Sequence, residues 1–252
     1  MVRKDLDTQK NSRILTNMKI NIFYTHYNIT GKDFKYRPYW FDYENCFRNL
    51  LHTIKDNPNV KLNVIMDGKI DSNWISKYKE HYTAYEVEGG TMVKAGHAMF
   101  NLLKQLKDNI PEGDLIYILE NDYMHVEGWV EKVLELFGTF KGLNYVTLYD
   151  HNDKYIHDHL YGDLVSKIFA THSSHWRTIP NTCGSYIASK EIFFEDVDDQ
   201  IREVGDCNKW LWLHENKNRF MLSALPGLST HCMEELMSPC VDWEKINNKT
   251  KI

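Results

Sequence analysis

The predicted fold depends on one stretch of the chain, residues 114–122, with the sequence DLIYILEND. Residues 115–119 are a continuous apolar run, which is typical of a strand buried on both faces of a parallel sheet. The run stops at Glu120, Asn121 and Asp122. In an open α/β sheet, ligands bind beyond the carboxyl ends of the strands. We therefore expect these three polar residues at the mouth of a binding site.

Strand-like and helix-like segments alternate on both sides of this stretch. Further strands are predicted at residues 19–24, 61–66, 83–88, 144–148, 183–188 and 220–225. Helices are predicted at residues 43–54, 72–80, 91–107, 129–137, 190–194 and 209–214. This alternation predicts an α/β protein, a single domain with a mostly parallel central sheet flanked by helices. Residues 149–180 are rich in histidine and are predicted to be irregular.

The composition excludes several classes of protein. Of the 252 residues, 42% are hydrophobic and 26% are charged, which supplies enough apolar surface for a core. The chain has 30 Lys and Arg against 35 Asp and Glu, and it lacks the basic stripe that binds nucleic acid. No apolar run approaches the roughly 20 residues that cross a bilayer. We therefore expect a soluble protein with no nucleic-acid partner and no transmembrane segment.

The two ends and the cysteines set the expected boundaries and location. Residues 1–18 are charged and contain no apolar block, so they predict a flexible leader and not a secretory signal. Residues 19–244 are predicted to form the folded domain, and residues 245–252 a polar tail. The five cysteines contain no C-x-x-C pair, which favours reduced structural thiols and a cytoplasmic location.

The triplet Glu120-Asn121-Asp122 has the chemistry of a metal site. Alternation along a strand can aim both carboxylates to the same side. Carboxylate oxygens suit Mg²⁺ or Mn²⁺, which are often shared with substrate phosphates. In an acidic protein two bare carboxylates would repel a diphosphate, so a divalent cation between them favours its binding. The alternative is that Asp and Asn only cap the helix that follows.

Two turns near other strand ends are candidate ligand sites. Asp67-Gly68 ends the second predicted strand, where a carboxylate could hold a base or a ribose hydroxyl; it could equally be an ordinary Asp-Gly turn. Gly89 and Gly90 precede a helix that carries Lys94, and free N–H groups at such a helix start bind anions. The P-loop pattern G-x-x-x-x-G-K-[ST] is absent from the sequence.

Two single residues toward the C-terminus are candidates for chemistry. His231 follows the last predicted strand and can serve as a metal ligand, although a lone histidine is more often structural. Asp206 precedes a Trp-rich segment and can take a proton from an attacking hydroxyl, or it can cap the following helix. The histidines within residues 157–159 and 172–175 match no structural zinc spacing and are interpreted as loop residues.

Taken in chain order, these pieces resemble a GT-A-type glycosyltransferase, most nearly the family 2 nucleotide-sugar transferases. The resemblance spans residues 19–242. It is carried by Thr25-His26-Tyr27, Asp67, residues 89–97, the acidic triplet, Gly128-Trp129, Thr182-Cys183-Gly184-Ser185-Tyr186, Gly205-Asp206 and His231. The triplet resembles the D-x-D motif of that family but begins with Glu120, which leaves open whether this carboxylate contacts the metal or the ribose.

The resemblance implies a GT-A fold, which is Rossmann-like, and a set of roles. Asp122, with Glu120 and His231, would hold Mn²⁺ or Mg²⁺ against the diphosphate. The residues implied to contact the nucleotide sugar are Thr25, Tyr27, Asp67, Gly90, Lys94, His97, Glu120 and Asn121. Asp206 would be the catalytic base.

The implied function is metal-dependent transfer of a sugar, with inversion, from a UDP- or GDP-linked donor to a hydroxyl of a glycan or another acceptor. Three alternatives stay open. A retaining glycosyltransferase of the same fold needs no base, so Asp206 would then be a helix cap. A non-catalytic carbohydrate-binding module would bind sugar without turnover. A sugar nucleotidyltransferase would share the sheet and the metal but would release pyrophosphate.

Overall fold

The structure is a computed structural model and describes residues 18–27, 35–156, 161–201 and 205–251. The predicted leader lies outside the described residues apart from Met18, and so do the histidines of segment 157–159. Over the described ranges a central sheet carries helices on both faces. The predicted α/β class, with a mostly parallel sheet flanked by helices, is confirmed.

The strands of the described ranges form one large sheet and one small one. They are β1 (Ile20–Tyr27), β2 (Val60–Asp67), β3 (Thr83–Val87), β4 (Leu115–Glu120), β5 (Tyr123–His125), β6 (Tyr145–Thr147), β7 (Ile168–Ala170), β8 (His175–Ile179), β9 (Tyr186–Ser189), β10 (Met221–Leu225) and β11 (Ser229–His231). Nine of these strands pair in the order β3-β2-β1-β4-β9-β6-β10-β8-β7, and β5 and β11 form an antiparallel pair.

The carboxyl ends of the first strands meet at one edge of the large sheet. The strands β1 to β4 are parallel, whereas β9 runs antiparallel to both of its neighbours. Thr25 lies opposite Glu120 in the β1–β4 register, and Tyr27 lies opposite Asp67 in the β1–β2 register. Predicted site residues from three strands are therefore adjacent at this edge.

The α-helices of the described ranges flank the sheet, and several of them begin at polar caps. They are α1 (Tyr43–Ile54), α2 (Met92–Leu106), α3 (Trp129–Thr139), α4 (Lys190–Gln200), α5 (Asp206–Lys217) and α6 (Trp243–Thr250). The side chains of Asp42, Thr91 and Ser189 each accept a backbone N–H bond at the start of α1, α2 and α4. Among the residues that the structure describes, no helix combines the length and the apolar character needed to cross a membrane.

Strand β4 joins the two halves of the core. Leu115, Tyr117 and Leu119 pack in the cluster that includes α1 and α3, whereas Ile116 and Ile118 pack in the cluster that includes α2, α4 and α5. All five side chains are buried. Burial of one such side chain contributes about 1.5–3 kcal/mol to folding. The continuous apolar run is thus explained by helices on both faces of the strand.

Residues 149–180 are more regular than the sequence predicts. They contain a hairpin of β7 and β8, and β8 extends the large sheet by pairing with β10. Ile168 and Ala170 of β7 are exposed, so this short edge strand lacks the buried alternation that identifies a strand in a sequence.

The C-terminal segment also differs from the prediction of a loose polar tail at residues 245–252. Helix α6 extends through most of it to Thr250. Asn45 of α1 donates to the Asn247 carbonyl at 3.2 Å, and Asn247 is 1% exposed. Hydrogen bonds between buried polar side chains and the backbone thus help to hold α6 against α1. A search of the sequence for apolar periodicity does not detect such bonds.

Candidate active site

Asp122 is the centre of the candidate site. It lies in the turn between β4 and β5 and is 2% exposed. Its Oδ2 atom accepts hydrogen bonds from Lys35 Nζ at 2.6 Å and from an Arg37 guanidinium nitrogen at 2.8 Å. His231 Nε2 lies 3.0 Å from the same oxygen. The other oxygen, Oδ1, is buried and has no hydrogen-bond partner in the described part of the chain.

The surrounding charges fix the protonation state of this carboxylate. Burial by itself would raise the pKa of Asp122, because a buried charge loses its hydration. His231, Lys35 and Arg37 outweigh burial and hold the pKa well below its usual range. Asp122 is therefore ionised at neutral pH and presents a full negative charge.

The pairing of β5 with β11 brings His231 to Asp122. In this pair His231 lies opposite Tyr123, and the Cys232 N–H donates to the Asp122 carbonyl at 2.9 Å. The imidazole stacks on the Tyr123 ring, with the ring centroids 5.1 Å apart and the planes 3° apart. Asp122 and His231 are 109 positions apart in the sequence, so sheet pairing is what places them together.

Arg37 and Lys35 precede α1 and hold the carboxylate in different ways. Arg37 donates to the Cys232 carbonyl at 2.8 Å, and its guanidinium carbon lies 4.3 Å from the centroid of the Phe41 ring. The Arg37 side chain is 11% exposed, which makes it a fixed cation. The Lys35 side chain is 36% exposed, and its Nζ also lies 3.1 Å from His231 Nε2.

Glu120 packs directly on the backbone of Gly184. A β-carbon built on Gly184 would lie 2.7 Å from Glu120 Cδ and 2.8 Å from its Oε1, so glycine is what leaves this space. The Glu120 N–H donates to the Ser185 hydroxyl at 3.1 Å. Burial, together with the neighbouring Asp122 charge, raises the pKa of Glu120 to about 7.

Asp206 and Tyr27 are electrostatic neighbours of Glu120. Asp206 adds to the effects of burial and of Asp122 in raising the pKa of Glu120. Burial, followed by the charge of Glu120, raises the pKa of Tyr27 to about 12. Asp206 is the first residue of α5 and pairs with Lys209 at 3.1 Å, while Gly205 occupies the cap position of this helix. The predicted alternative of a helix cap is therefore not the role of Asp206 here.

Asp67 holds the loop that opens α2. Its Oδ1 accepts the N–H of Gly89 at 2.7 Å, and its Oδ2 accepts the N–H of Gly90 at 3.1 Å. Gly90 has a φ of 72°, a left-handed conformation that favours glycine. Two predicted ligand sites, the Asp67 turn and the Gly90 loop, thus form one structure at the ends of β2 and β3.

The predicted residues on α2 lie in its first two turns. Lys94 is exposed, and its N–H donates to the Thr91 hydroxyl at 3.3 Å. His97 is partly buried, and its Nε2 lies 3.1 Å from the Ile201 carbonyl. Lys94 is thus open to an anion, whereas His97 links α2 to the end of α4.

Two other predicted contact residues turn their polar groups into the protein. The Thr25 hydroxyl donates to the Leu119 carbonyl at 3.2 Å within the sheet. The Asn121 amide nitrogen lies 3.4 Å from His26 Nδ1. Thr25 is 3% exposed and Asn121 is 5% exposed, so both support the edge of the sheet from inside.

Two atoms at Asp122 have the spacing of adjacent ligands of a divalent cation. Asp122 Oδ2 and His231 Nε2 are 3.0 Å apart. Adjacent ligands of an octahedral ion with bonds of about 2.1 Å lie about 3.0 Å apart. The buried Asp122 Oδ1 offers a further oxygen. Over the described ranges no three or more His, Cys, Asp and Glu side chains are grouped to hold a metal, so Glu120 does not complete a set with these two residues.

Lys35 and Arg37 were not predicted from the sequence. They lie between β1 and α1, where no helix or strand pattern draws attention to them. The signal that could have identified them is the pair of basic residues two positions apart, after the first strand of an acidic protein. Their pairing with Asp122 also means that this carboxylate is not bare, contrary to the premise of the sequence argument.

No protein-family model and no curated protein matches this sequence. Among solved structures, the chain is similar to a candidate nucleotide-diphospho-sugar transferase from Desulfovibrio desulfuricans G20, with a TM-score of 0.47, 11% identity, and coverage of 82% of this chain and 79% of that chain. A fragment of S. aureus TarS gives a TM-score of 0.48 and 12% identity, with 82% of this chain and 58% of that chain covered. CMP:2-keto-3-deoxy-manno-octonic acid synthetase, complexed with CTP, gives a TM-score of 0.49 and 11% identity. The match covers 92% of this chain and 98% of that chain. At such identities these similarities concern the fold alone.

Proposed function

We propose that this protein transfers a sugar from a nucleotide-diphosphate donor to an acceptor hydroxyl, with a divalent cation bound at Asp122 and His231. One observation carries the proposal: a buried, ionised carboxylate and an imidazole nitrogen lie 3.0 Å apart at the carboxyl edge of a parallel sheet. Ligands of open α/β sheets bind at this edge. A carboxylate is a suitable ligand for Mn²⁺ or Mg²⁺ that is shared with phosphate oxygens, and an added imidazole favours Mn²⁺ of the two.

The diphosphate is the leaving group and gains negative charge as the sugar departs. Mn²⁺ or Mg²⁺ would supply Lewis-acid neutralisation of that charge. Asp122 would hold the cation through a carboxylate oxygen, and His231 through Nε2. Arg37 keeps Asp122 oriented through its bond of 2.8 Å and is itself fixed by the Cys232 carbonyl. Charges arranged before the reaction stabilise a transition state without a cost of reorganisation.

Asp206 is proposed as the base that takes the proton of the acceptor hydroxyl. Its carboxylate is 47% exposed at the start of α5 and contributes to the electrostatic field at Glu120. A positioned carboxylate of this kind contributes about 10²–10⁴-fold in rate. Attack by the activated hydroxyl opposite the leaving diphosphate would invert the configuration. An Asp206→Asn enzyme that keeps most of its rate would instead favour retention.

The nucleoside is proposed to lie along the ends of β1, β2 and β3. Tyr27 and the loop joined by Asp67 and Gly90 are adjacent there. Because Asp67 is occupied by backbone N–H groups, we propose that it fixes the loop that contacts the donor. Lys94, exposed in the next turn, is placed to contact a phosphate.

A thermal-shift panel tests the proposed function. The protein is heated with UDP, GDP, UTP or CTP, each with and without Mn²⁺. A ligand at about 100 times its dissociation constant adds about 2.7 kcal/mol to the stability of the native state, which is readily measured. We expect a Mn²⁺-dependent shift with a nucleoside diphosphate, and loss of the Mn²⁺-dependent part in Asp122→Asn.

Two other results of the panel would contradict the proposal. A larger shift with a triphosphate than with any diphosphate would favour a sugar nucleotidyltransferase. The absence of any nucleotide response would favour a module that does not use nucleotide sugars.

A further inference from the structure

The Lys35 ammonium lies against the two atoms that are spaced to bind a divalent cation. Its Nζ lies 2.6 Å from Asp122 Oδ2 and 3.1 Å from His231 Nε2. These are the carboxylate oxygen and the ring nitrogen that lie 3.0 Å from each other. An ammonium group this close to both atoms leaves no room for a metal ion between them.

The two basic residues at Asp122 differ in how firmly they are held. Arg37 is 11% exposed and is fixed by the Cys232 carbonyl and by the face of the Phe41 ring. Lys35 is 36% exposed and lies on a flexible four-carbon stem, so its ammonium can turn toward solvent once another cation compensates the buried Asp122 charge. Of the two, Lys35 is the cation that can leave while the rest of the site stays in place.

We propose that Lys35 holds the cation position at Asp122 and His231 until a divalent cation arrives with the donor, and then moves to the donor's diphosphate. The second step, in which Lys35 moves to the diphosphate, rests on the proposed function. The Lys35 ammonium lies against both Asp122 Oδ2 and His231 Nε2, so a divalent cation that binds both atoms must displace it, whereas Arg37 contacts Asp122 Oδ2. A displaced Lys35 remains at the same edge of the sheet, where the phosphates would add negative charge. The lysine thus opposes binding of the metal alone and supports binding of the metal with the donor.

The exchange predicts opposite effects on two affinities. In Lys35→Met, an unbranched side chain of similar length replaces the ammonium group. We expect the affinity for Mn²⁺ alone to rise at least about tenfold, because the competing charge is gone. At saturating Mn²⁺, we expect the affinity for UDP or GDP to fall at least about tenfold, because a phosphate partner is lost. Electron paramagnetic resonance of free Mn²⁺ measures the first affinity, and calorimetry measures the second.

Two further variants serve as controls. Lys77→Met removes an ammonium group that is 61% exposed and paired with Glu44, away from Asp122, and is expected to change neither affinity. Lys35→Arg keeps the charge and is expected to keep the affinity for Mn²⁺ low. If Lys35→Met fails to fold, the difference in Mn²⁺ affinity between Lys35→Ala and Lys35→Arg decides the same question.

The outcomes separate this inference from the proposed function. An unchanged Mn²⁺ affinity in Lys35→Met, or a fall in both affinities together, would overturn the exchange. If neither wild type nor Lys35→Met binds Mn²⁺, the exchange is also overturned. If Lys35→Met binds Mn²⁺ more tightly than wild type but neither protein binds a nucleotide, Lys35 still competes with the metal at Asp122. That result would contradict the proposed function instead.

Discussion

Gly184 shows how a residue without a side chain positions a neighbouring carboxyl group. A β-carbon on residue 184 would lie only 2.7 Å from Cδ of the Glu120 carboxyl group. This contact holds Glu120 at the edge of β4, close to Asp122. The sequence contains both residues in segments that resemble a family pattern, but it gives no distance between them.

Gly184→Ala is therefore expected to disturb the site more than the fold. The added methyl group pushes away the end of a side chain and not the backbone, so the free energy of unfolding should change by less than about 1 kcal/mol. Turnover should fall at least about tenfold, because a displacement of about 1 Å near a reacting centre costs up to 10²-fold. Steady-state kinetics and urea unfolding measure the two effects.

The matched control for this change is the Glu120→Ala background. There the truncated side chain leaves space for the β-carbon, so the added Gly184→Ala change should have no further effect on turnover. Wild-type turnover in the single Gly184→Ala variant would show that the contact with Glu120 does not matter to the reaction.

At the scale of elements, α6 shows that a polar segment can be part of the core. Trp243 donates to the Ser238 carbonyl at 2.8 Å, and Asn247 donates to the Trp40 carbonyl at 3.4 Å. Asn45 of α1 donates to the Asn247 carbonyl. Helix α6 is therefore attached to α1, the helix that follows Lys35 and Arg37 in the chain.

Asn247→Ala should destabilise the protein although it removes no apolar surface. The change removes the Asn247 side-chain amide, which donates to the Trp40 carbonyl and accepts from Asn45 Nδ2, and the loss of such buried partners costs about 1–3 kcal/mol. Asn248→Ala, on the exposed side of the same helix, should change the free energy of unfolding by less than about 0.5 kcal/mol. Urea unfolding of both variants is the measurement. Equal stability of the two would mean that α6 is not held by this contact.

At the scale of the whole molecule, several histidines are buried without charge. Burial lowers the pKa of His26 to about 4 and that of His125 to about 3, and it lowers the pKa of His151 well below its usual range. In the unfolded chain each would titrate near pH 6.5. As the pH falls through this value, the unfolded state binds protons that the folded state does not bind.

These histidines should therefore lower the stability as the pH drops from about 6.5 toward 4, while Glu120, whose raised pKa of about 7 lets the folded state bind a proton first, offsets part of the loss. Each buried histidine contributes a slope of up to about 1.4 kcal/mol per pH unit in this window. Urea unfolding at pH 7, 6 and 5 measures it. His125→Asn should remove one such contribution, whereas His81→Asn, at an exposed position, should leave the slope unchanged. An identical slope in both variants would refute the linkage for His125.

The sequence could predict those parts of the fold that depend on local pattern. The apolar run of β4, the periodic helices α1, α2 and α3, and the strands β1 and β2 follow from spacing that repeats over several residues. The edge hairpin of β7 and β8 and the helix α6 could not be predicted in this way. Their stability comes from pairing and hydrogen bonds with distant segments, and such partners leave no periodic signal in the segment itself.

For the site, the sequence by itself determined which chemical groups stand near the strand ends: Asp67 ends β2, Glu120 ends β4 with Asp122 just beyond it, and His231 follows β10. Only the tertiary structure decided that Asp122 meets His231, and that Lys35 and Arg37 already neutralise its charge. The physical reason is distance along the chain. A covalent spacing fixes neighbours within a few residues, whereas an ion pair between remote residues depends on how the whole sheet is assembled.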